Sequence, residues 1–77
     1  MTPQQIEIAL SFNRITFLPG SWNKRFASAM AYKAAKYSEL ELSAMQNEWI
    51  YRILYTYRRQ VPDVYEKYRD NVNCKKL

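Results

Sequence analysis

Met45, Trp49, Ile50, Ile53, Leu54, Tyr57 and Val61 recur at the three- and four-residue spacing of one helix face. They hold that register for about four turns and stop against Pro62, which lacks an amide donor and clashes with the preceding turn. A stripe of this length needs other helices to cover it. Glycine occurs once, at Gly20, and the stretch from Arg14 to Leu18 reads as an ordered loop or one short extended segment.

Start signals divide the rest of the chain. Thr2, Pro3 and Gln5 form a capping box with proline at the first helical position, followed by Ile6, Ala9 and Leu10 on one face, which predicts a helix over about 3–13. Arg14 to Leu18 is β-branched and aromatic, and Pro19-Gly20 suits a type II turn. Ser21 can cap a second helix over about 22–37, whose apolar face reads Trp22, Phe26, Ala29, Met30 and Lys33, with Ala27, Ala31, Ala34 and Ala35 beside it to admit a close neighbour. Ser43 and Gln46 make a second capping box and open the central helix over about 43–60. Arg58 and Arg59 would then lie in its last turn. Pro62-Asp63 opens a fourth helix over about 62–72, carrying Val64, Tyr65, Tyr68 and Val72, with a frayed tail from about 73. The expected fold is all-α: a compact single-domain bundle of three to four helices over 1–77, with Trp22, Phe26, Trp49, Ile53 and Leu54 buried together.

The chemistry on offer is narrow. There is no histidine, and the single cysteine, Cys74, has no partner for an internal disulfide, so a reducing cytoplasm fits the chain better than secretion. Zinc sites built on His and Cys, His-based triads and Gly-rich phosphate loops are all excluded. The seven carboxylates are not coupled in sequence to a nucleophile or a metal ligand. The expectation is a protein that is not an enzyme and needs neither cofactor nor metal. No apolar run approaches the roughly 20 residues of a spanning helix, and the opening residues lack the pattern of a signal peptide, so no membrane association is expected.

Two surfaces are candidates for binding. On the central helix, Tyr51, Arg52, Tyr55, Arg58 and Arg59 fall away from the apolar stripe and would form a Tyr/Arg ridge, of residue types enriched at binding hot spots. The competing structural reading has the fourth helix covering this ridge. The second surface is basic: Lys24, Arg25, Lys33 and Lys36 on the second helix with Arg14 in the preceding loop, in a chain with 12 Lys and Arg against 7 Asp and Glu. Tyr32 and Tyr37 beside Lys33 and Lys36 offer rings on which unpaired bases could stack, whereas the bland reading of the set is a solvated basic face. Helices two and three also follow the order of a helix-turn-helix, with Gln46 and Asn47 at the start of the would-be recognition helix. The missing turn glycine and the nearby Glu39 and Glu41 count against it.

The segment Phe17-Leu18-Pro19-Gly20-Ser21-Trp22-Asn23-Lys24-Arg25-Phe26, with Leu42-Ser43, Gln46 and Tyr57-Arg58-Arg59-Gln60, resembles small uncharacterised helical proteins of bacteriophages and other mobile elements. The resemblance spans about residues 17–60 and carries no catalytic residue. It implies a setting in the cytoplasm of a bacterial host, where such proteins bind and block a host or defence protein complex, anti-CRISPR proteins being one such class. The leading expectation is therefore a non-catalytic interaction protein that docks its Tyr/Arg ridge on such a complex. The alternatives are a DNA- or RNA-binding module using the basic face, and a homodimer joined through exposed aromatics.

Overall fold

In the computed structural model, which describes residues 1–69, the first three helices start on the hydroxyls that the sequence offers. α1 (Pro3–Ser11) follows Thr2, whose hydroxyl accepts the Gln5 amide at 3.1 Å while the Gln5 carboxamide oxygen accepts the Thr2 amide at 2.9 Å. α2 (Trp22–Lys36) follows Ser21, which accepts the Lys24 amide at 3.1 Å. α3 (Ala44–Thr56) follows the reciprocal pair Ser43 and Gln46. Each cap satisfies amides that the first turn leaves without a partner. α4 (Pro62–Tyr68) has no side-chain cap and relies on Pro62 in its first turn and on Val61, wholly buried at its N-cap. The fold is all-α: four helices, a 3-10 turn at Phe12–Arg14, and no strand among the described residues.

Two helices are shorter than the sequence pattern suggests. α1 tightens into the 3-10 turn after Ser11, whose hydroxyl donates to the Ile8 carbonyl at 2.6 Å. α3 ends at Thr56 rather than near residue 60. The Thr56 hydroxyl donates to the Arg52 carbonyl at 2.8 Å, a back-bond that weakens a helix, and Tyr57 then leaves helical geometry with φ −107°. Arg58 and Arg59 therefore lie in the turn beyond α3, not in its last turn. α4 runs as helix to Tyr68 with Arg69 as its C-cap, and the rest of the expected fourth helix, residues 70–72, and the tail with Cys74 lie outside the described residues.

Leu18 to Ser21 is the expected turn. The Ser21 amide donates to the Leu18 carbonyl at 3.1 Å, and Gly20 at the third position has φ +76°, the left-handed conformation that a type II turn requires there. The loop before it is clamped to the end of α3. The Gln60 carboxamide pairs with the backbone of Thr16, accepting its amide at 2.8 Å and donating to its carbonyl at 3.4 Å. Phe17 meets Tyr57 edge to face at 4.7 Å, and the Asn23 amide donates to the Tyr57 hydroxyl at 3.5 Å. The loop before α2 and the turn after α3 are thus held against each other.

The core is made by Ile8 and Ala9 of α1, Ala27, Met30, Ala31 and Ala34 of α2, Ile50, Ile53 and Leu54 of α3, and Val61 and Val64. On α2 the buried face is therefore the alanine side, about a quarter-turn from the stripe that the large residues marked. α1 and α2 form the most extensive helix contact, and small side chains on both let their backbones approach. Trp22, Phe26 and Trp49 correct the expectation of a shared buried cluster. They do pack together, but at the surface: Trp22 is 48% exposed, and Phe26 and Trp49 are half-buried.

α4 is tied to α1 by charge. Lys67 Nζ donates to Glu7 Oε1 at 2.8 Å, and the hydroxyl of buried Tyr68 donates to the same oxygen. The hydrogen bonds from Lys67 and then Tyr68 hold the Glu7 carboxyl below its ordinary range, while the bond to Glu7 raises both Lys67 and Tyr68. A lowered carboxyl contributes stability that is present above its unfolded value and lost as pH falls through the folded one. For the raised tyrosine and lysine the contribution is present below their unfolded values and lost as pH rises through the folded ones. Thermal melts should therefore show a plateau around neutrality with the melting temperature declining below about pH 4.5 and again above about pH 10. Glu7→Gln should lower the plateau modestly and flatten both flanks; wild-type-like flanks in that variant would show that this triad does not couple α4 to pH.

Candidate functional site

The Tyr/Arg ridge is not the open surface expected from the central helix. Tyr51 is only 8% exposed and belongs to the core, because helices pack on both sides of α3 and its buried arc is wider than the apolar stripe alone. Tyr55 is half-buried, edge to face with Tyr65 of α4 at 6.2 Å, and Arg58 lies 4.3 Å over its ring while donating to the Tyr55 carbonyl at 2.9 Å. Arg52 pairs with Glu48 at 2.9 Å and lies 5.4 Å from the ring centre of Trp49. Arg59 alone of the five is exposed. Tyr51, Arg52, Tyr55 and Arg58 are thus largely committed to contacts within the fold, and the contact of the ridge with α4 is that of Tyr55 with Tyr65.

The helix-turn-helix residues are also committed. Gln46 completes the α3 capping box, and the Asn47 carboxamide oxygen accepts from Gln5 Nε2 at 2.7 Å, joining the starts of α1 and α3. Neither is free to read a base edge.

The basic set behaves differently. Four ion pairs join charged groups elsewhere among the described residues: Arg14 with Asp63, Arg52 with Glu48, Lys67 with Glu7 and Arg69 with Glu66. Arg14 is thus turned toward α4 and is not part of a patch with the second helix; its guanidinium hydrogen-bonds Asp63 and holds that carboxyl below its ordinary range. None of these pairs involves Lys24, Arg25, Lys33 or Lys36. Their helix, WNKRFASAMAYKAAK, contains no carboxylate at all. Lys33 and Lys36 complement the negative end of the helix dipole, but Lys24 and Arg25 sit near its positive end, where each cation costs about 0.3–1 kcal/mol. Helix stability therefore gives no reason for two cations there.

Helical spacing sorts the set further. Trp22, Arg25, Ala29, Tyr32, Lys33 and Lys36 fall within roughly 100° of the α2 circumference, on the side away from Ala27, Ala31 and Ala34. Lys24 lies about 100° round from Arg25 and lines a separate cleft with Asn13, Thr16 and Phe17. Tyr32 is 56% exposed and Tyr37, at the C-cap, 46%, with their ring centres 5.9 Å apart. Glu39 and Glu41 follow the helix in sequence and line a cleft with Met1, Thr2 and Gln5 at the start of α1.

At the opposite end, Trp22 stacks on Phe26 at 5.1 Å with a 12° interplanar angle and meets Trp49 edge to face at 4.7 Å. Met45, one turn before Trp49, is 69% exposed. Sequence reading assigned Trp22 to the core and so missed it as a surface residue. The available signal was its place on the same helical face as Arg25 and Tyr32.

No group of three or more His, Cys, Asp or Glu among the described residues could hold a metal ion, and no helix among them is long and apolar enough to cross a membrane. No protein-family model matches the sequence, and no curated protein or solved structure matches it significantly.

Proposed function

We propose that this chain is a non-catalytic binding module whose working surface is the outer face of α2 and whose partner is a nucleic acid. The observation that supports this reading most directly is a helix with four cations, no carboxylate and no ion pair among the described residues, where four of the other six described cations are ion-paired. A phosphate backbone is the partner that rewards unpaired, exposed cations, because each contact releases condensed counterions. If Arg25, Lys33 and Lys36 contact three phosphates of a single strand, log K should fall with log salt at a slope of about −2. The double substitution Lys33→Glu with Lys36→Glu should abolish binding at moderate salt while leaving the thermal melt nearly unchanged, as checked by fluorescence anisotropy and circular dichroism. Binding indifferent to salt, or absent at moderate salt in the wild type, would remove this reading.

A second reading keeps the interaction protein of phage type, acting on a host or defence complex in the manner of anti-CRISPR proteins. It is favoured by the aromatic cluster of Trp22, Phe26 and Trp49 with exposed Met45, residue types enriched where proteins dock. Its contact surface would be this cluster, since the Tyr/Arg ridge is largely covered. A partner retained from a bacterial lysate after nuclease treatment, and lost on Trp22→Ala, would support it over the first reading.

A further inference from the structure

We infer that the α2 face selects unpaired nucleotides over a duplex. This inference rests on the nucleic-acid reading and specifies its ligand. The cations explain attraction to any polyanion. They do not explain why large rings stand in solvent between them. Trp22 and Tyr32 share the face with Arg25 and Lys36 and are about half exposed, ten residues apart, or about 15 Å along the helix. Arg25 and Ala29 lie between them on that face, so a cation stands one turn after the first ring and only a small side chain follows it before the second.

The alternation is chemically specific. In a duplex the faces of the bases are already covered by their neighbours, and only edges and phosphates are presented. A ring on a helix surface then gains little beyond a wedge contact. An unpaired strand offers base faces as well as phosphates, and each base that stacks on an aromatic side chain gains affinity without regard to its identity. Trp22 is firmly placed for this role, because its contacts with Phe26 and Trp49 fix the indole while nearly half of its surface stays accessible. Tyr32 has one ring neighbour, Tyr37, with its centre 5.9 Å away. A ring immobilised before binding loses little side-chain freedom on stacking. The ligand assigned is a short single-stranded segment lying along α2, with phosphates toward Arg25, Lys33 and Lys36 and bases over the two rings.

The test uses the full chain with three probes matched in nucleotide number: labelled oligothymidylate, labelled oligouridylate and a labelled mixed-sequence DNA duplex. Anisotropy reads affinity, and intrinsic tryptophan fluorescence reads stacking. The expected result is that the single strands bind at least about tenfold tighter than the duplex and quench the tryptophan signal. Tyr32→Leu and Trp22→Leu should each weaken single-strand binding about tenfold while leaving the salt slope and the duplex affinity unchanged. Tyr32 is exposed, so its variant keeps the test valid even if Trp22→Leu disturbs the aromatic cluster. Equal or tighter duplex binding, or single-strand binding untouched by Tyr32→Leu, would overturn the single-strand inference and leave the wider nucleic-acid reading standing. Failure of all three probes to bind at moderate salt would overturn both.

Discussion

Leu54→Ala should destabilise the protein by about 2–5 kcal/mol and leave it largely unfolded at physiological temperature. Leu54 has no exposed surface and sits in α3 where the core residues of α1, α2 and the α4 region converge. Truncating it removes the transfer free energy of the lost carbons and leaves a cavity, because Ile50, Ile53 and Val61 around the core are themselves fully buried and held on separate elements. A domain of this size has a total stability of only several kcal/mol, so one such cavity consumes much of it. Trp22→Ala removes more atoms but should cost far less, since nearly half of that side chain already faces water. Denaturant titration of both variants checks the pair. A Trp22 variant that unfolds before the Leu54 variant would place the load-carrying core elsewhere.

That comparison shows where the sequence was readable. The starts of α1, α2 and α3 were legible because a cap is a local interaction, complete within four residues. The turn at Pro19-Gly20 was legible for the same reason, since it depends on one residue that tolerates positive φ. Helix ends were harder. At the end of α3 the Thr56 back-bond is local, but Tyr57 beyond it also packs against Phe17 and Asn23, and neither partner lies near it in sequence.

Surface assignment failed wherever burial depended on which helix covered which face. Tyr51 looks like an outward residue on a helical wheel and is buried because α3 is enclosed on more than one side. Trp22 looks like a core residue by hydrophobicity and is half exposed because the alanine side of α2 takes the core position. The basic set was legible as composition, but its division was not. Only the fold shows Arg14 paired with Asp63 across about 50 residues of sequence, a separation at which no periodicity operates. The cations that remain are those of a helix with no carboxylate, a property already written in its fifteen residues.

The register of α2 decides both the core and the proposed interface, and one pair of substitutions separates the two possible orientations. By the spacing of its large residues, Ala29 lies on the inward stripe and Ala27 beside it; in the fold, Ala27 is 1% exposed against α1 and Ala29 faces solvent. Ala27→Leu should therefore force three additional carbons into a closely packed seam. Neighbouring Ala9, Ala31 and Ala34 are nearly or fully buried, and relief requires the α1 and α2 backbones to separate. The expected cost is about 1–3 kcal/mol, seen as a lower denaturation midpoint. Ala29→Leu should change stability by no more than about 0.5 kcal/mol, because its added atoms meet water. It should nevertheless weaken single-strand binding, since the new side chain stands between Trp22 and Tyr32 on the face along which the strand would lie. The opposite order of stabilities would rotate α2 by about a quarter-turn, bury the stripe of Trp22 and Lys33, and remove the interface along with it.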